Sequence, residues 1–263
     1  MMDIDSDGRL AHRLVDLADG IALRHFRNGP RSHRKADGSP VSEADLAVER
    51  AMLEVLAAER PGDAVLSEEC GAAPAAGGDA QPARRWILDP IDGTIPFLAG
   101  ERAWGTHVAL EVDGALRTVV LSRPTEGRRW WARSGAGAYA STSAQPLSTD
   151  RRLRMRQEAV ALRSARLGGF LFPDSPATRV PAGTTWVDAP VCLIADLLEG
   201  RVDAAVDEGG HVWDRAPAAL LVREAGGHVD DLSGGRRLDA PWLVYARRGL
   251  AAELTDRLRT QVL

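Results

Sequence analysis

The chain has 263 residues, 44% hydrophobic and 27% charged, the make-up of a soluble globule large enough for one big α/β domain or two packed halves. A net charge of −4 leaves no electrostatic footprint for a nucleic-acid partner, and no run approaches the ~20 apolar residues needed to span a membrane. Cys70 and Cys192 are too few and too far apart for a disulfide framework or a cysteine zinc site, so both read as free thiols, and the acidic start from Met1 to Gly8 has no apolar signal core; the expectation is a cytoplasmic protein.

In chain order, Leu10, Leu14, Leu17, Ile21 and Phe26 recur at helical spacing and predict one buried helical face, stopped by Asn28-Gly29-Pro30. Residues 31–40 form a polar, turn-rich connector. Ser42-Glu43-Ala44-Asp45 then has the form of a capping box and opens a helix towards Arg60. Residues 63–66 read as a short strand into Ser67-Glu68-Glu69, and the Ala/Gly/Pro-rich stretch 71–82 as a mobile surface loop. Trp86-Ile87-Leu88 is an apolar strand that Pro90 should end, because proline fixes its own φ and has no N–H for the ladder. Strands follow at 107–112, 116–122 and 129–132, the first two joined by an Asp113-Gly114 turn. Later, helix and strand alternate: helices at 195–199, 214–225 and 249–262, strands at 202–206 and 243–246. The fold class predicted is α/β, with an α+β half over residues 1–145 and an α/β half over 146–263.

Asp89-Pro90-Ile91-Asp92-Gly93-Thr94 carries the chemistry. Its two carboxylates can converge at a tight corner, and hard divalent cations such as Mg²⁺ take clustered oxygens together with substrate phosphate. Gly93-Thr94 adds close backbone approach and N–H groups where a short helix could start, which suits a phosphate. Alone, the motif is as readily a strand-to-turn corner with a capping Asp. Glu68 beside Glu69 reads by itself as solvated surface, and Asp214 after Val212-Trp213 as an N-cap.

Together the pieces resemble the inositol monophosphatase family of Mg²⁺-dependent phosphomonoesterases. The matching stretches are 37–45 with its Ser/Glu/Asp ending, Ser67-Glu68-Glu69, 86–94, His211-Val212-Trp213-Asp214 running into Ala218-Ala219, and Val222-Arg223-Glu224-Ala225-Gly226-Gly227. The resemblance implies a layered αβαβα sandwich. It implies a metal set of Glu68, Asp89, Asp92 and Asp214 with the Ile91 carbonyl, an all-oxygen shell for two or three Mg²⁺ ions per subunit. It also implies Asp45, Thr94 and Glu68 as catalytic residues, with Thr94 hydrogen-bonded to Asp45 to position and deprotonate a water that attacks phosphorus directly. Gly93 and Thr94 would cradle the phosphate, and Lys35, the one lysine in an arginine-rich chain, would stand near the active site, although by itself it reads as readily as a surface cation.

Substrate selection in such a protein falls to groups above the metals. Asp207, seven positions before Asp214, stands where the family commonly has a glutamate that hydrogen-bonds substrate hydroxyls or amine. Ala189-Pro190 departs from the family's Gly followed by a polar residue, and Pro96-Phe97 from its Asn-Phe. Pro40 to Asp45, residues 60–65 and Arg128-Arg129-Trp130-Trp131-Ala132 look most like the histidinol-phosphate phosphatase branch, although a Trp pair in a strand usually just packs and the arginines read as solvated surface. The expected substrate is histidinol phosphate or a similar amine-bearing phosphate; an aminocyclitol, inositol, amino-sugar or nucleoside monophosphate is the alternative. A catalytically silent phosphate-binding relative and a bisphosphatase are the rivals; the first needs a lost ligand, the second an extra basic cluster. The partner is a small phosphorylated metabolite, without nucleic acid or membrane, and a homodimer is expected because relatives commonly form one.

Overall fold

The computed structural model describes residues 5–35, 38, 40–73, 83–142, 150–180, 183–187 and 193–262. Asp5 accepts from the Gly8 N–H at 2.8 Å and starts the first helix earlier than the apolar spacing alone predicts, so that α1 is Ser6–Asn28. A hairpin of β1 (Ser32–Arg34) and β2 (Pro40–Ser42) leads into α2 (Glu43–Glu59). The capping box forms as the sequence indicates: Ser42 Oγ accepts from Ala44 and Asp45, and Asp45 Oδ2 accepts from the Ser42 N–H at 2.8 Å.

The chain continues through β3 (Ala64–Ser67), β4 (Gly71–Ala73), β5 (Arg84–Asp92), the short helix α3 (Thr94–Leu98), β6 (Gly105–Val112), β7 (Ala115–Arg123), β8 (Arg128–Arg133), β9 (Gly137–Thr142) and β10 (Arg151–Leu153). These strands form an eight-stranded sheet in the order β10-β9-β8-β7-β6-β5-β3-β4, antiparallel except for the parallel β3–β5 pair. Next come β11 (Arg166–Phe170), β12 (Thr185–Val187), α4 (Leu193–Leu198), β13 (Ala204–Glu208), α5 (Val212–Glu224), β14 (His228–Asp230), β15 (Trp242–Ala246) and α6 (Arg248–Val262). Their five strands are ordered β12-β11-β13-β15-β14, with β11 parallel to both neighbours. The expected division between 145 and 146 lies outside the described residues, as does most of the 71–82 loop.

Period-two alternation makes the layers. In β5, β6 and β8, Leu88, Val108, Leu110 and Trp131 point to the core under α1 and α2, whereas Ile87, Ala109 and Trp130 point to the core that α4 and α5 share with the second sheet. The far face of that second sheet, with Val206 and Val244, buries the α6 stripe of Leu250, Leu254 and Leu258. The result is helices, sheet, helices, sheet, helix, the α/β layering expected. The Trp pair packs on opposite faces, but Arg129 is not solvated surface: it is 5% exposed and its Nη2 donates to Asp16 and Asp19 of α1.

Pro90 does not end β5. Asp89 pairs with His107 and Asp92 with Gly105, so Pro90 and Ile91 together oppose Thr106 in a β-bulge. The missing N–H of proline is harmless there, and the Thr106 hydroxyl donates to the Pro90 carbonyl at 2.9 Å. Gly105 is required beside the bulge, since a Cβ there would lie 2.0 Å from the Ser122 carbonyl oxygen.

Candidate active site

The bulge places the carboxylates. Residues three apart on a regular strand face opposite ways, but the extra residue turns Ile91 into the α1/α2 core and returns Asp92 to the face that carries Asp89. Convergence therefore comes from a bulge inside the strand and not from a corner after it. On the other side, Ser67 pairs with Leu88 and the Glu68 N–H donates to the Leu88 carbonyl at 3.2 Å, which sets Glu68 beside Asp89 at the end of β3. Glu68, just past the end of β3, thus lies beside Asp89 of β5, which pairs with His107 of β6, all near the head of α5. That helix starts at Val212, two residues before the start predicted from sequence, and Asp214 in its first turn accepts from the His211 N–H at 2.7 Å.

Asp89 is 1% exposed and Asp45 fully buried. Desolvation, reinforced by Glu68, Asp92 and Asp214, holds the Asp89 carboxyl well above its ordinary range. Desolvation and Glu68 push Asp92 up to about 7; desolvation and Asp92 push Asp214 up to about 6. Asp45 rises to about 6, chiefly by desolvation. Lys35 partly offsets this charge: its Nζ lies 2.9 Å from Glu68 Oε1 and 2.8 Å from Glu69 Oε1. Burial opposes the ammonium, but the hydrogen bonds to Glu69 and Glu68 outweigh it and raise the lysine pKa. Lys35, expected near the active site, thus stands against Glu68 and Glu69.

These residues suit a divalent cation. Asp89 Oδ1 and Asp45 Oδ1 are buried with no hydrogen-bond partner, and oxygens of Asp89 and Asp92 with a His107 nitrogen lie within 4.8 Å of one another. Glu68 and Asp214 are the further carboxylates whose charge those two feel. The Ile91 carbonyl accepts from the Thr94 hydroxyl at 3.3 Å. The Thr94–Asp45 hydrogen bond implied by the family resemblance is not made here: Asp45 Oδ1 has no partner, and the Thr94 hydroxyl is given to Ile91. Gly93, at φ 88° in the left-handed region, turns the chain from β5 into α3, and Pro96 fits the first turn of α3, where no N–H is required.

Asp207, the expected substrate acceptor, lines the same cleft as Asp92 and Asp214, but its carboxylate is held by an arginine. Arg215, 1% exposed, donates through Nε and Nη2 to both Asp207 oxygens at 3.0 and 2.8 Å, and Gly210 N–H adds a bond at 3.0 Å. The bidentate pair neutralises Asp207, and Arg215 Nη1 also donates to the Leu238 and Ala240 carbonyls. Arg215→Met should leave the partly buried Asp207 carboxylate, 16% exposed, without its counter-charge, at a cost of about 3 kcal/mol. The expected drop in Tm is on the order of 10 °C, read by calorimetry. Ala189, the other expected substrate contact, lies with Pro190 outside the described residues, as does Cys192; Cys70 is a free thiol.

Two residues passed over in the sequence reach the site. His107 is 5% exposed, its Nε2 stands 3.4 Å from Asp92 Oδ2, and burial lowers its pKa to about 4. Tyr245 of β15 is 2% exposed with an unpartnered hydroxyl. Both line a cleft of about 160 Å³ that also meets Asp92, Asp214, Phe170 and Ile194. His107 had shown only as the first residue of an alternating strand; its place opposite Asp89 depends on a pairing that spans the 93–104 connection.

The chain matches the inositol monophosphatase family over residues 9–263. A Streptomyces griseus protein named glucose-1-phosphate thymidylyltransferase is 64% identical over 259 residues, 98% of each chain. That name denotes nucleotidyl transfer and stands apart from the family match. The histidinol-phosphatase of Mycobacterium tuberculosis is 37% identical over 237 residues, covering 87% of this chain and 88% of the relative. Among solved structures, Thermotoga maritima IMPase shares the fold, with a TM-score of 0.81 at 22% identity over 97% of each chain. The chain belongs to the inositol monophosphatase family and is a phosphoric monoester hydrolase of that metal-dependent family.

Proposed function

We propose that the protein is a Mg²⁺-dependent phosphatase of a small amine-bearing monoester, with histidinol phosphate the leading substrate. The observation that carries the reading is the inward row of Glu68 and Asp89, joined by Asp92 through the bulge and by Asp214 from α5. Bound Mg²⁺ would supply Lewis acidity to the phosphate and leaving oxygen and lower the pKa of water. Glu68, Asp89, Asp92 and Asp214 would hold the ions, and the Ile91 carbonyl would join them once the Thr94 hydroxyl turns away. Asp45, with its free Oδ1, would then accept the proton that Thr94 relays from the attacking water. Gly93 and Thr94 would meet the phosphate oxygens, with Lys35 beside Glu68.

The 37%-identical histidinol-phosphatase supports the substrate assignment. Asp207 is already paired with Arg215, so the amine would need another acceptor. The same proposal includes a homodimer in the cytoplasm, on the family resemblance. A phosphate-release panel with Mg²⁺ tests the assignment, comparing histidinol phosphate, inositol and aminocyclitol phosphates, amino-sugar phosphates and nucleotides. Histidinol phosphate should give the highest kcat/KM, and EDTA should abolish release from every ester. Preference for an aminocyclitol or inositol phosphate would reassign the substrate; release of no phosphate from any ester would remove the phosphatase reading.

A further inference from the structure

We propose that His107 supplies a ring nitrogen to the metal centre beside Asp89 and Asp92, giving this chain a mixed oxygen–nitrogen donor set. The proposal rests on the metal-centre reading above and goes beyond it by adding a donor that the all-oxygen ligand set lacks. His107 stands directly opposite Asp89 in the β5–β6 ladder, so both side chains leave the sheet on one face. One of its nitrogens lies within 4.8 Å of carboxylate oxygens of both Asp89 and Asp92. The imidazole is 5% exposed, yet neither nitrogen closes a hydrogen bond of ordinary geometry, and Asp89 Oδ1 is unpartnered in the same way. Buried polar atoms are nearly always paired, and a cation held between ring and carboxylates would pair both at once.

A second neighbour of the ring also fits this role. The Trp213 carbonyl is close enough to His107 to act on it. Pro217, four residues on, has no N–H to return the helical bond to that carbonyl. Metal-binding histidines commonly give their second N–H to a backbone carbonyl of this kind. An imidazole donor moves preference from Mg²⁺, which favours oxygen, towards Mn²⁺, Co²⁺ or Zn²⁺.

The test is pulsed electron paramagnetic resonance on the full-length protein loaded with stoichiometric Mn²⁺. A directly bound imidazole gives a nitrogen hyperfine coupling, which should change to the ¹⁵N pattern when the protein carries ¹⁵N-histidine. The coupling should vanish in His107→Gln and persist in His211→Gln, which alters the histidine just before α5. Calorimetry should show the Mn²⁺ Kd rising about tenfold in His107→Gln while the Mg²⁺ Kd changes less than about twofold. Bound Mn²⁺ without nitrogen coupling in the wild type overturns the proposal and leaves the metal centre standing. So does a coupling that survives His107→Gln. Failure of the wild type to bind Mn²⁺ at all removes the metal-centre reading and His107's role with it. The wild-type spectrum decides the matter even if a variant fails to fold.

Discussion

Asp92→Asn is expected to lower kcat/KM for a phosphate monoester by about 10³-fold, while the metal-free variant is at least as stable as the parent. The two effects have one cause. Asp92 is held near Asp89 by the bulge, and desolvation and Glu68 raise its pKa to about 7. Asparagine keeps the shape and removes the charge, so the repulsion goes and with it the anionic ligand. A loss of 10³ in rate corresponds to about 4 kcal/mol of transition-state stabilisation. A purely structural Asp92 would give the opposite pair of results, reduced stability with activity falling only in proportion. Steady-state kinetics in Mg²⁺, paired with calorimetric melting in EDTA, separates the cases. A variant keeping a tenth or more of parental kcat/KM would remove Asp92 from the catalytic centre.

The metal-free protein is expected to lose stability as pH rises, and divalent cation is expected to restore it. Asp45 and Asp214, raised to about 6, and Asp92, raised to about 7, start from an ordinary 3.8. Between the ordinary and raised values the fold keeps protons that the unfolded chain has released. More protons are then bound in the native state, so unfolding free energy falls as pH rises. The stabilising protonation is complete below about pH 4 and lost through about pH 6–7. Asp19 and Glu69, raised to about 6 and about 7, add to this trend; His12 and His107, lowered to about 3 and about 4, oppose it up to about pH 6.5, and Asp231, lowered to about 2, opposes it only below the window. In EDTA, Tm should be about 5–10 °C lower at pH 8 than at pH 5, from a few kcal/mol in a chain of this size. Mg²⁺ should raise Tm more at pH 8 than at pH 5, because it binds the ionised carboxylates. An EDTA profile that rises from pH 5 to pH 8 would show that these carboxylates are not crowded in the fold.

The sequence disclosed most where the cause is local. The capping box at Ser42–Asp45, the Asp113-Gly114 turn and the alternation of Trp130 and Trp131 depend on near neighbours, and each formed as read. The carboxylates of the Asp-Gly-Thr motif do converge, but through a bulge rather than the corner expected. Proline is excluded from a regular ladder, yet it fits a bulge, and only the pairing of β5 with β6 reveals which applies. His107 became visible through the same pairing. The Arg215–Asp207 bond joins residues eight apart, but whether an arginine turns to an aspartate or to solvent is decided by the surrounding burial. Thr94 likewise chose the Ile91 carbonyl because the bulge put it within reach.

The most direct test is an anomalous difference map from a crystal grown with Mn²⁺. The expected map shows a peak bonded to oxygens of Asp89 and Asp92, with Glu68 and Asp214 turned towards the same centre. A map at saturating Mn²⁺ with no peak between Asp89 and Asp92 would contradict the assignment of this bulged strand as a metal centre.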